Sequence, residues 1–373
     1  MLIGVPKEIK TNENRVGLTP QNVRELVANG HEVWVETHAG QGIGADDATY
    51  QAVGAQVKAT AAEIFAQCEM IVKVKEPQKV EYEQLREGQI LFTYLHLAPD
   101  APQTEGLLKS GCIGVAYETV TADNRTLPLL APMSEVAGRM AVQVGAYSLQ
   151  KSEGGLGALL GGVPGVAPSN VVVLGGGVAG LNATKMAVGM GADVTVIDRN
   201  IDRLRYLDDI FAGRIKTVYS TADAVEKAVV NADLVIGTVL IPGANAPKLI
   251  PRTLLQKMKK GAVIVDVAID QGGCTETSKA TTHENPTYVV DDVVHYCVAN
   301  MPGGVPKTST YALNNATLPY ALAIANKGIK QALLDDVHLL NGLNVCKGKL
   351  TYKAVADAQN LVFTSALEAV NAL

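Results

Sequence analysis

Along most of the chain, short runs of continuous apolar residues alternate with segments of helical period. Over residues 1–128 the runs LIGVP, EVWVE, QVKA, MIVKVKEP, ILFTYLHL and IGVAYE are strand candidates. Between them, TPQNVRELVANG opens on Thr and Pro and closes on Gly, the start and stop signals of a helix, and AAEIFAQC and TEGLLKSG read the same way. Near-continuous apolar strands alternating with helices predict a parallel sheet covered on both faces. A second series starts at Val171 with VVVLG, LNATKMAVGMG, DVTVID and DRLRYLDDIF, and continues through TVYS, ADAVEKAVVNA, LVIGTV, TLLQKMKKG and AVIVDVAI. Between the two series SEVAGRMAVQVGAYSLQ carries small residues at helical spacing, the pattern of a long, tightly packed connecting helix. After Pro306, TYALNNATLPYALAIANKG predicts a second long helix, followed by a helical tail. The pattern is that of an α/β protein with two doubly wound units.

Composition narrows the class. With 373 residues, 47% hydrophobic and 18% charged, the chain is globular and long enough for two domains. Lys and Arg number 32 against 37 Asp and Glu, a net charge of −5 with no basic tract, so nucleic acid and anionic membrane surfaces are not expected partners. Five cysteines without a CxxC pair argue for free thiols in a reducing cytoplasm, and MLIGVPKEIK has no apolar core of a secretory leader. Residues 154–181 contain only Ser169 and Asn170 as polar side chains, yet ten glycines and two prolines make them a poor membrane helix and a better glycine-rich loop leading into a strand.

That loop and strand carry a motif. Gly175-x-Gly177-x-x-Gly180 follows VVVL directly and is followed by a helix and a second strand ending in Asp198. Gly175 permits the tight turn, Gly177 lets backbone amides approach a pyrophosphate, and Gly180 allows close helix–strand contact. The helix N-terminus offers unpaired N–H groups and a positive dipole end. Asp198, 18 residues beyond Gly180, is placed to accept the ribose hydroxyls of NAD and to disfavour a 2′-phosphate, although Arg199 keeps NADP in view. A second match, Gly40-x-Gly42-x-x-Ala45, precedes Asp46 and Asp47, which would repel a pyrophosphate at the start of the next helix.

A nicotinamide enzyme also needs a substrate anchor and an acid/base group at the carboxyl ends of its strands. Lys73 and Lys75 share a face of MIVKVKEP, and Lys75 either faces a polar cleft or reaches past the strand to solvent. Arg15, in the loop after the first strand, either clamps a carboxylate or pairs with Glu13 or Glu8. His96 near the end of ILFTYLHL is a satisfied core histidine or a catalyst. Asp270 in AVIVDVAIDQGGC is a turn cap or a cleft acid, whereas Asp266, inside the strand, reads as structural. The remaining histidines lack paired ligand spacing, and no metal site is expected.

These segments also resemble a known family. GVPKEIKTNENRVGLTP, KVKEP, LFTYLHLA, LPLLAPMSEVAGRMAVQVGA, GGVPGV, the glycine fingerprint, VDVAIDQGGC and CVANMPGGVPKTSTYALNNATLPY resemble the bacterial alanine dehydrogenases over essentially the whole chain. Parts of the pattern are shared with the NAD-binding subunit of proton-translocating transhydrogenase and with lysine–oxoglutarate reductases.

The resemblance implies reversible oxidative deamination of L-alanine to pyruvate and ammonium with NAD. It assigns substrate contacts to Arg15 and Lys75 and catalysis to His96 and Asp270. Besides the fingerprint, it assigns cofactor contacts to Ser134, Val178, Ala179, Asp198, Arg203, Ser220, Val239, Leu240, Val267, Ala268, Ile269 and Asp270. Val298, Ala299, Asn300 and Met301 complete that set, with Lys279 where some members have Arg. ALAIANKG lacks the Glu and His with which some members hold a divalent ion.

It further implies two Rossmann-like domains, the NAD domain (129–306) inserted into the substrate domain (1–128 plus 307–373) and joined by the two long helices, in a cytoplasmic homo-oligomer, a hexamer. A transhydrogenase-like nucleotide module and a non-catalytic NAD(H) sensor are the rival readings.

Overall fold

The computed structural model describes residues 1–124, 126–239 and 246–373. They divide into two compact units, Met1–Met133 with Val305–Leu373, and Ser134–Gly304. One long helix, Ala131–Ser148, crosses the first boundary, and the other, Pro306–Lys327, begins just after the second.

In the first unit β1 (Leu2–Val5), β2 (Glu32–Glu36), β3 (Gln56–Lys58), β4 (Met70–Val72), β5 (Ile90–Thr93) and β6 (Ile113–Ala116) pair in parallel. In the second, β7 (Asn170–Leu174), β8 (Asp193–Asp198), β9 (Lys216–Tyr219), β10 (Leu234–Gly237), β11 (Val263–Asp266) and β13 (Val293–Tyr296) are parallel, and β12 (Thr287–Val290) adds antiparallel to β13. The returning chain adds β14 (Leu343–Cys346) and β15 (Lys349–Leu350) antiparallel at the β6 edge of the first sheet. Among the described residues the strand orders are β15-β14-β6-β5-β4-β1-β2-β3 and β12-β13-β11-β10-β7-β8-β9. Strands β4, β5, β6, β10 and β11 are buried along their whole length, which is why they read as near-continuous apolar runs; β13, equally buried, carries His295 and is not among the strand candidates.

Both orders reverse direction once. In the first sheet the chain winds outward from β1 to β2 and β3 on one side and from β4 to β5 and β6 on the other; in the second it winds from β7 to β8 and β9, and from β10 to β11 and β13. The switch points lie between β1 and β4 and between β7 and β10, and open parallel sheets bind ligands beyond the carboxyl ends of such strands.

Local signals operate as read. Thr19 caps the helix Pro20–Ala28 by accepting the Asn22 amide, and a capping box of Thr60 and Glu63 opens Ala61–Gln67. Asp46 caps Asp47–Ala52, so the second glycine match does lead into an acidic helix start. Small residues on Ala131–Ser148 permit close packing: a Cβ on Gly138 would lie 2.1 Å from the Ala179 carbonyl oxygen.

Two expectations are corrected. First, three strands stop early: MIVKVKEP at Val72, ILFTYLHL at Thr93 and AVIVDVAI at Asp266. Lys73, Lys75 and His96 therefore lie beyond their strands, and alternation along a strand does not orient them. Second, the tail is not wholly helical, since LNVC-KG-KL forms the β14–β15 hairpin. Its two-residue turn puts Lys347 and Gly348 at φ 44° and 79°. Buried Asn344, whose side chain donates to Thr119 Oγ1 (2.7 Å), interrupts the apolar pattern by which the strand would be read.

One contact at the first switch point admits no side chain. A Cβ on Gly17 would lie 2.3 Å from the Val72 carbonyl oxygen and 3.1 Å from Lys73 Cα. Gly17→Ala is expected to lower unfolding free energy by about 1–3 kcal/mol, measured by urea denaturation followed through Trp34, the chain's single tryptophan, on β2 of this unit.

Candidate active site

In the first unit Arg15, Lys75 and His96 lie on the segments that follow β1, β4 and β5. Arg15 is buried, and its guanidinium forks onto Glu13: Nε donates to Oε1 and Nη2 to Oε2, both at 2.6 Å. Burial works against the charge, but the Glu13 carboxylate outweighs it and holds the guanidinium pKa above its ordinary value. Nη1 approaches Met133 Sδ at 3.0 Å. The flanking Val16 donates its amide to Thr310 Oγ1 and accepts at its carbonyl from Asn314 Nδ2, both on the long helix Pro306–Lys327. The pairing with Glu13 weighed from the sequence is therefore present, and it fixes the plane of the guanidinium.

Lys73 and Lys75 behave differently. Lys73 has no exposure and sits between two carboxylates, Glu8 (3.0 Å) and Glu81 (2.7 Å), so it is internal structure. Lys75 is half-buried. Its amide and that of Val74 point to Glu8 Oε1 (3.4 and 2.7 Å), and its carbonyl accepts from Thr93 Oγ1 (3.0 Å).

His96 occupies the left-handed region at φ 49°, a conformation uncommon for residues other than glycine and concentrated at functional sites. It is held by Glu118, whose carboxylate accepts the amides of Leu95 (3.2 Å) and His96 (2.6 Å). The ring stacks on Tyr94 (centroids 5.7 Å, planes 11° apart), and Tyr94 is anchored by its hydroxyl to the Leu129 carbonyl at 2.5 Å. Tyr94 is buried, which raises its pKa, with the Arg15 charge opposing that rise. The imidazole itself is 44% exposed. A backbone pinned from below and a ring open to solvent do not suit a core histidine. Glu118 was not singled out from the sequence, although an acid closing the apolar run IGVAYE at a strand end was the available signal.

In the second unit the expected cofactor residues follow the carboxyl ends of the strands. Gly175, at φ 98°, turns the chain out of β7 beside Thr238, which follows β10 across the switch point and donates from Oγ1 to the Gly175 carbonyl (2.8 Å). Thr238 is a second residue missed from the sequence. A Cβ on Gly180 would lie 1.9 Å from that same carbonyl, whereas a Cβ on Gly177 would meet nothing within 4 Å. The helix Val178–Gly189 thus begins at an open surface, with Gly177 as a cap that offers no side chain and no acid in its first turn. Asp198 closes β8 and accepts the amides of Gly176 (2.6 Å) and Asn200 (2.8 Å). Arg203 braces the glycine turn by donating from Nε to the Gly176 carbonyl and from Nη2 to that of Gly177 (3.3 Å). Ser220 follows β9 and donates its amide to the Asp198 carbonyl (3.0 Å).

Val239 follows Thr238, and Leu240 lies outside the described residues. Val267, Ala268, Ile269 and Asp270 form a single 3-10 turn after β11, with Asp270 exposed. The cap of that turn is Asp266, which accepts the amides of Ala268 (3.1 Å) and Cys274 (2.8 Å) and the Ser278 hydroxyl (2.5 Å). The turn cap, weighed from the sequence for Asp270, is thus Asp266, which reads from the sequence only as structural. Val298, Ala299, Asn300 and Met301 follow β13, and Ser134 stands on Ala131–Ser148 where the second unit begins. Lys279 is exposed on a loop held by Tyr288, which accepts the Lys279 amide (2.7 Å), and by His295, which accepts from Thr277 (2.8 Å). Among the described residues no group of three or more His, Cys, Asp or Glu is arranged to hold a metal ion.

Comparison with known proteins matches two consecutive stretches of the chain. Residues 4–137 match the family model "Alanine dehydrogenase/PNT, N-terminal domain", and residues 141–353 match "Alanine dehydrogenase/PNT, C-terminal domain". The chain belongs to the alanine dehydrogenase family. It is 61% identical to alanine dehydrogenase of Halomonas elongata over 98% of this chain and 99% of that one. A solved L-alanine dehydrogenase structure superposes with a TM-score of 0.94 at 54% identity, covering 96% of this chain and 99% of the other. A transhydrogenase structure from Sinorhizobium meliloti gives 0.82 at 25% identity, with 95% and 100% covered. The two-sheet parallel architecture is therefore that of alanine dehydrogenases and, more distantly, of a transhydrogenase.

Two outcomes follow from the carboxylates and the buried imidazole. Glu118→Ala leaves the Leu95 and His96 amides without their acceptor and is expected to cost about 1–3 kcal/mol, measured by urea denaturation, with faster hydrogen exchange at both amides. His295 donates from Nδ1 to the Val293 carbonyl and accepts at Nε2, and burial holds its pKa below the ordinary 6.5. The unfolded chain therefore binds this proton more readily. The stability His295 contributes is complete above that pH and is lost as pH falls through the folded value. His295→Gln should flatten the dependence of melting temperature on pH below about 6.5.

Proposed function

We propose that the chain catalyses the reversible oxidative deamination of L-alanine to pyruvate and ammonium, with NAD as the hydride carrier. The observation that carries this reading is the pair of complementary sets at two switch points: Arg15, Lys75 and His96 around one sheet, the glycine turn and Asp198 at the other. The family relationship and the 61% identity to a protein named alanine dehydrogenase favour it over a transhydrogenase-like module, matched at 25% identity. A non-catalytic NAD(H) sensor would have no use for a strained, exposed imidazole.

The second unit fits a dinucleotide. The space over Gly177 would hold a pyrophosphate against the first turn of Val178–Gly189, whose glycine cap offers no side chain, while Arg203 occupies the Gly176 and Gly177 carbonyls. Each Asp198 oxygen takes one backbone amide and retains lone pairs for the ribose hydroxyls. The further contacts are proposed at Ser134, Ser220, Val239, Leu240, Lys279, the turn Val267 to Asp270 and the segment Val298 to Met301. The chemistry NAD would supply there is that of a hydride acceptor for the substrate Cα.

In the first unit Arg15 and Lys75 bind the substrate carboxylate and set the direction in which Cα points; such positioning supplies on the order of 7–11 kcal/mol of a barrier. The substrate amine, its ammonium proton given up, loses hydride from Cα and becomes an iminium ion. His96 and Asp270 share the proton transfers that follow: one takes a proton from the attacking water, and the carbinolamine gains a proton at nitrogen and gives up its hydroxyl proton as it collapses to pyruvate and ammonia. The exposed imidazole of His96, fixed through its backbone, is suited to exchange that proton. We further propose that the enzyme works in the cytoplasm as a homo-oligomer, a hexamer by family resemblance, without metal, nucleic-acid or membrane partners. Among the described residues, no helix is long and apolar enough to cross a membrane.

NADH oxidation is expected with pyruvate and ammonium together and not with pyruvate alone, glyoxylate, or 2-oxoglutarate plus lysine. Absence of ammonium-dependent turnover would sink the assignment. His96→Ala should lower kcat by about 100-fold or more while NADH still binds; near-normal turnover would remove His96 from the mechanism. Asp198→Ala should raise the KM for NADH and narrow the preference for NADH over NADPH by about tenfold or more, equivalent to about 1.4 kcal/mol. An unchanged preference would show that Asp198 does not read the ribose.

A further inference from the structure

Lys73 takes no part in the reading above, yet its burial demands a reason. A lysine with no exposure between two glutamates forgoes its hydration, and an apolar residue of similar size is often no worse for stability. One ammonium also cannot satisfy two carboxylates: burial drives the Glu8 pKa up, and the charge of Lys73 only partly opposes that. Stability alone is therefore a weak account of this cluster.

Its connections are more informative. Glu8 belongs to the loop after β1, the loop that carries Arg15. Through Oε2 it holds Lys73, and through Oε1 it accepts the amides of Val74 and Lys75, so the backbone of Lys75 is tied to the Arg15 loop. Lys73 then reaches Glu81 on the short helix Lys79–Tyr82, and Glu81 Oε2 accepts the Gln78 amide. The far side of the same loop presses on this backbone where Gly17 meets the Val72 carbonyl and Lys73 Cα. The segment bearing Lys75 is thus clamped to the Arg15 loop at Glu8 and at Gly17, and to the segment that follows it at Glu81.

We infer that Lys73 is a positioning residue which, through Glu8, sets the spacing of Arg15 and Lys75 to fit one substrate carboxylate. The inference rests on the proposed substrate roles of those two cations. It explains an ionic cluster at the switch point of this sheet: a charged pair has one arrangement in which its hydrogen bonds are made, whereas an apolar plug tolerates several.

The full-length protein tests it in four variants, Glu8→Gln, Lys73→Met, Lys75→Met and Gln89→Ala, by steady-state assay of pyruvate amination with circular dichroism as a check of folding. Glu8→Gln keeps a carbonyl for the two backbone amides but turns an NH₂ toward Lys73, and Lys73→Met removes the ammonium. Each is expected to raise the KM for pyruvate at least tenfold while the KM for NADH stays within twofold. Gln89, buried in the same unit with its side chain bonded to the Phe65 and Cys68 carbonyls and the Arg86 amide, is the comparison for lost stability: Gln89→Ala should lower the melting temperature with both KM values unchanged. Should Lys73→Met fail to fold, Glu8→Gln decides. Pyruvate KM within twofold of the parent in a folded Glu8→Gln protein, with Lys75→Met still raising it, overturns the inference alone. An unchanged KM in Lys75→Met overturns the substrate reading itself, and the inference with it.

Discussion

A parallel strand that ends inside a protein leaves the next few backbone amides without a partner, because the neighbouring strand has also ended and water is excluded. Such groups must be paired or they cost free energy comparable to a lost hydrogen bond. At the strand ends that matter here, the partner is a carboxylate. Glu8 takes the amides of Val74 and Lys75 beyond β4, and Glu118 those of Leu95 and His96 beyond β5. Asp198 takes Gly176 beyond β7, and Asp266 takes Ala268 and Cys274 beyond β11. In each case the pinned segment carries a proposed functional residue: Lys75, His96, the glycine turn, or Asp270. Charge-assisted bonds of this kind are short and directional, so they place a loop as firmly as a ladder places a strand.

This arrangement explains which parts were readable in advance. Strand–helix alternation, the caps at Thr19 and Thr60 and the glycine fingerprint are local signals, each legible within a dozen residues, and the parallel architecture follows from them. The family resemblance then supplied the site residues. What local patterning misplaced were the strand ends. In KVKEP and TYLHL the apolar period continues past the strand ends at Val72 and Thr93, because Val74, Tyr94 and Leu95 are still buried. Burial and strand geometry coincide within the ladder and part company where it stops, and a one-dimensional pattern registers only burial. The β14–β15 hairpin was missed for the converse reason. Asn344 is polar inside a fully buried strand, satisfied by Thr119 from β6's continuation, a partner 225 residues away in sequence.

The same distinction separates the two kinds of acid. Glu13 and Asp46 were visible as local partners, of Arg15 and of a helix start. Glu8 and Glu118 act on segments that reach them through the fold, and nothing near Glu118 announces that its amide partners are Leu95 and His96. For such residues the useful sequence signal is positional: an acid at the end of an apolar run, where a strand must release the chain. Asp198 and Glu118 both satisfy it, and only Asp198 is accompanied by a motif.

A carboxylate used in this way also conditions the charge of the site it builds. Around the first switch point the cations Lys10, Arg15 and Lys73 each face a glutamate, Glu76, Glu13 and the Glu8–Glu81 pair. Local positive charge is thus largely cancelled before any substrate arrives, while the directional N–H groups remain. An unrestrained basic pocket would hold any anion, in proportion to its charge. A neutralised one gains little from net charge and discriminates by geometry and hydrogen bonding. That suits an amino-acid zwitterion, which brings its ammonium together with its carboxylate, and a keto acid that must meet ammonium in the reverse direction.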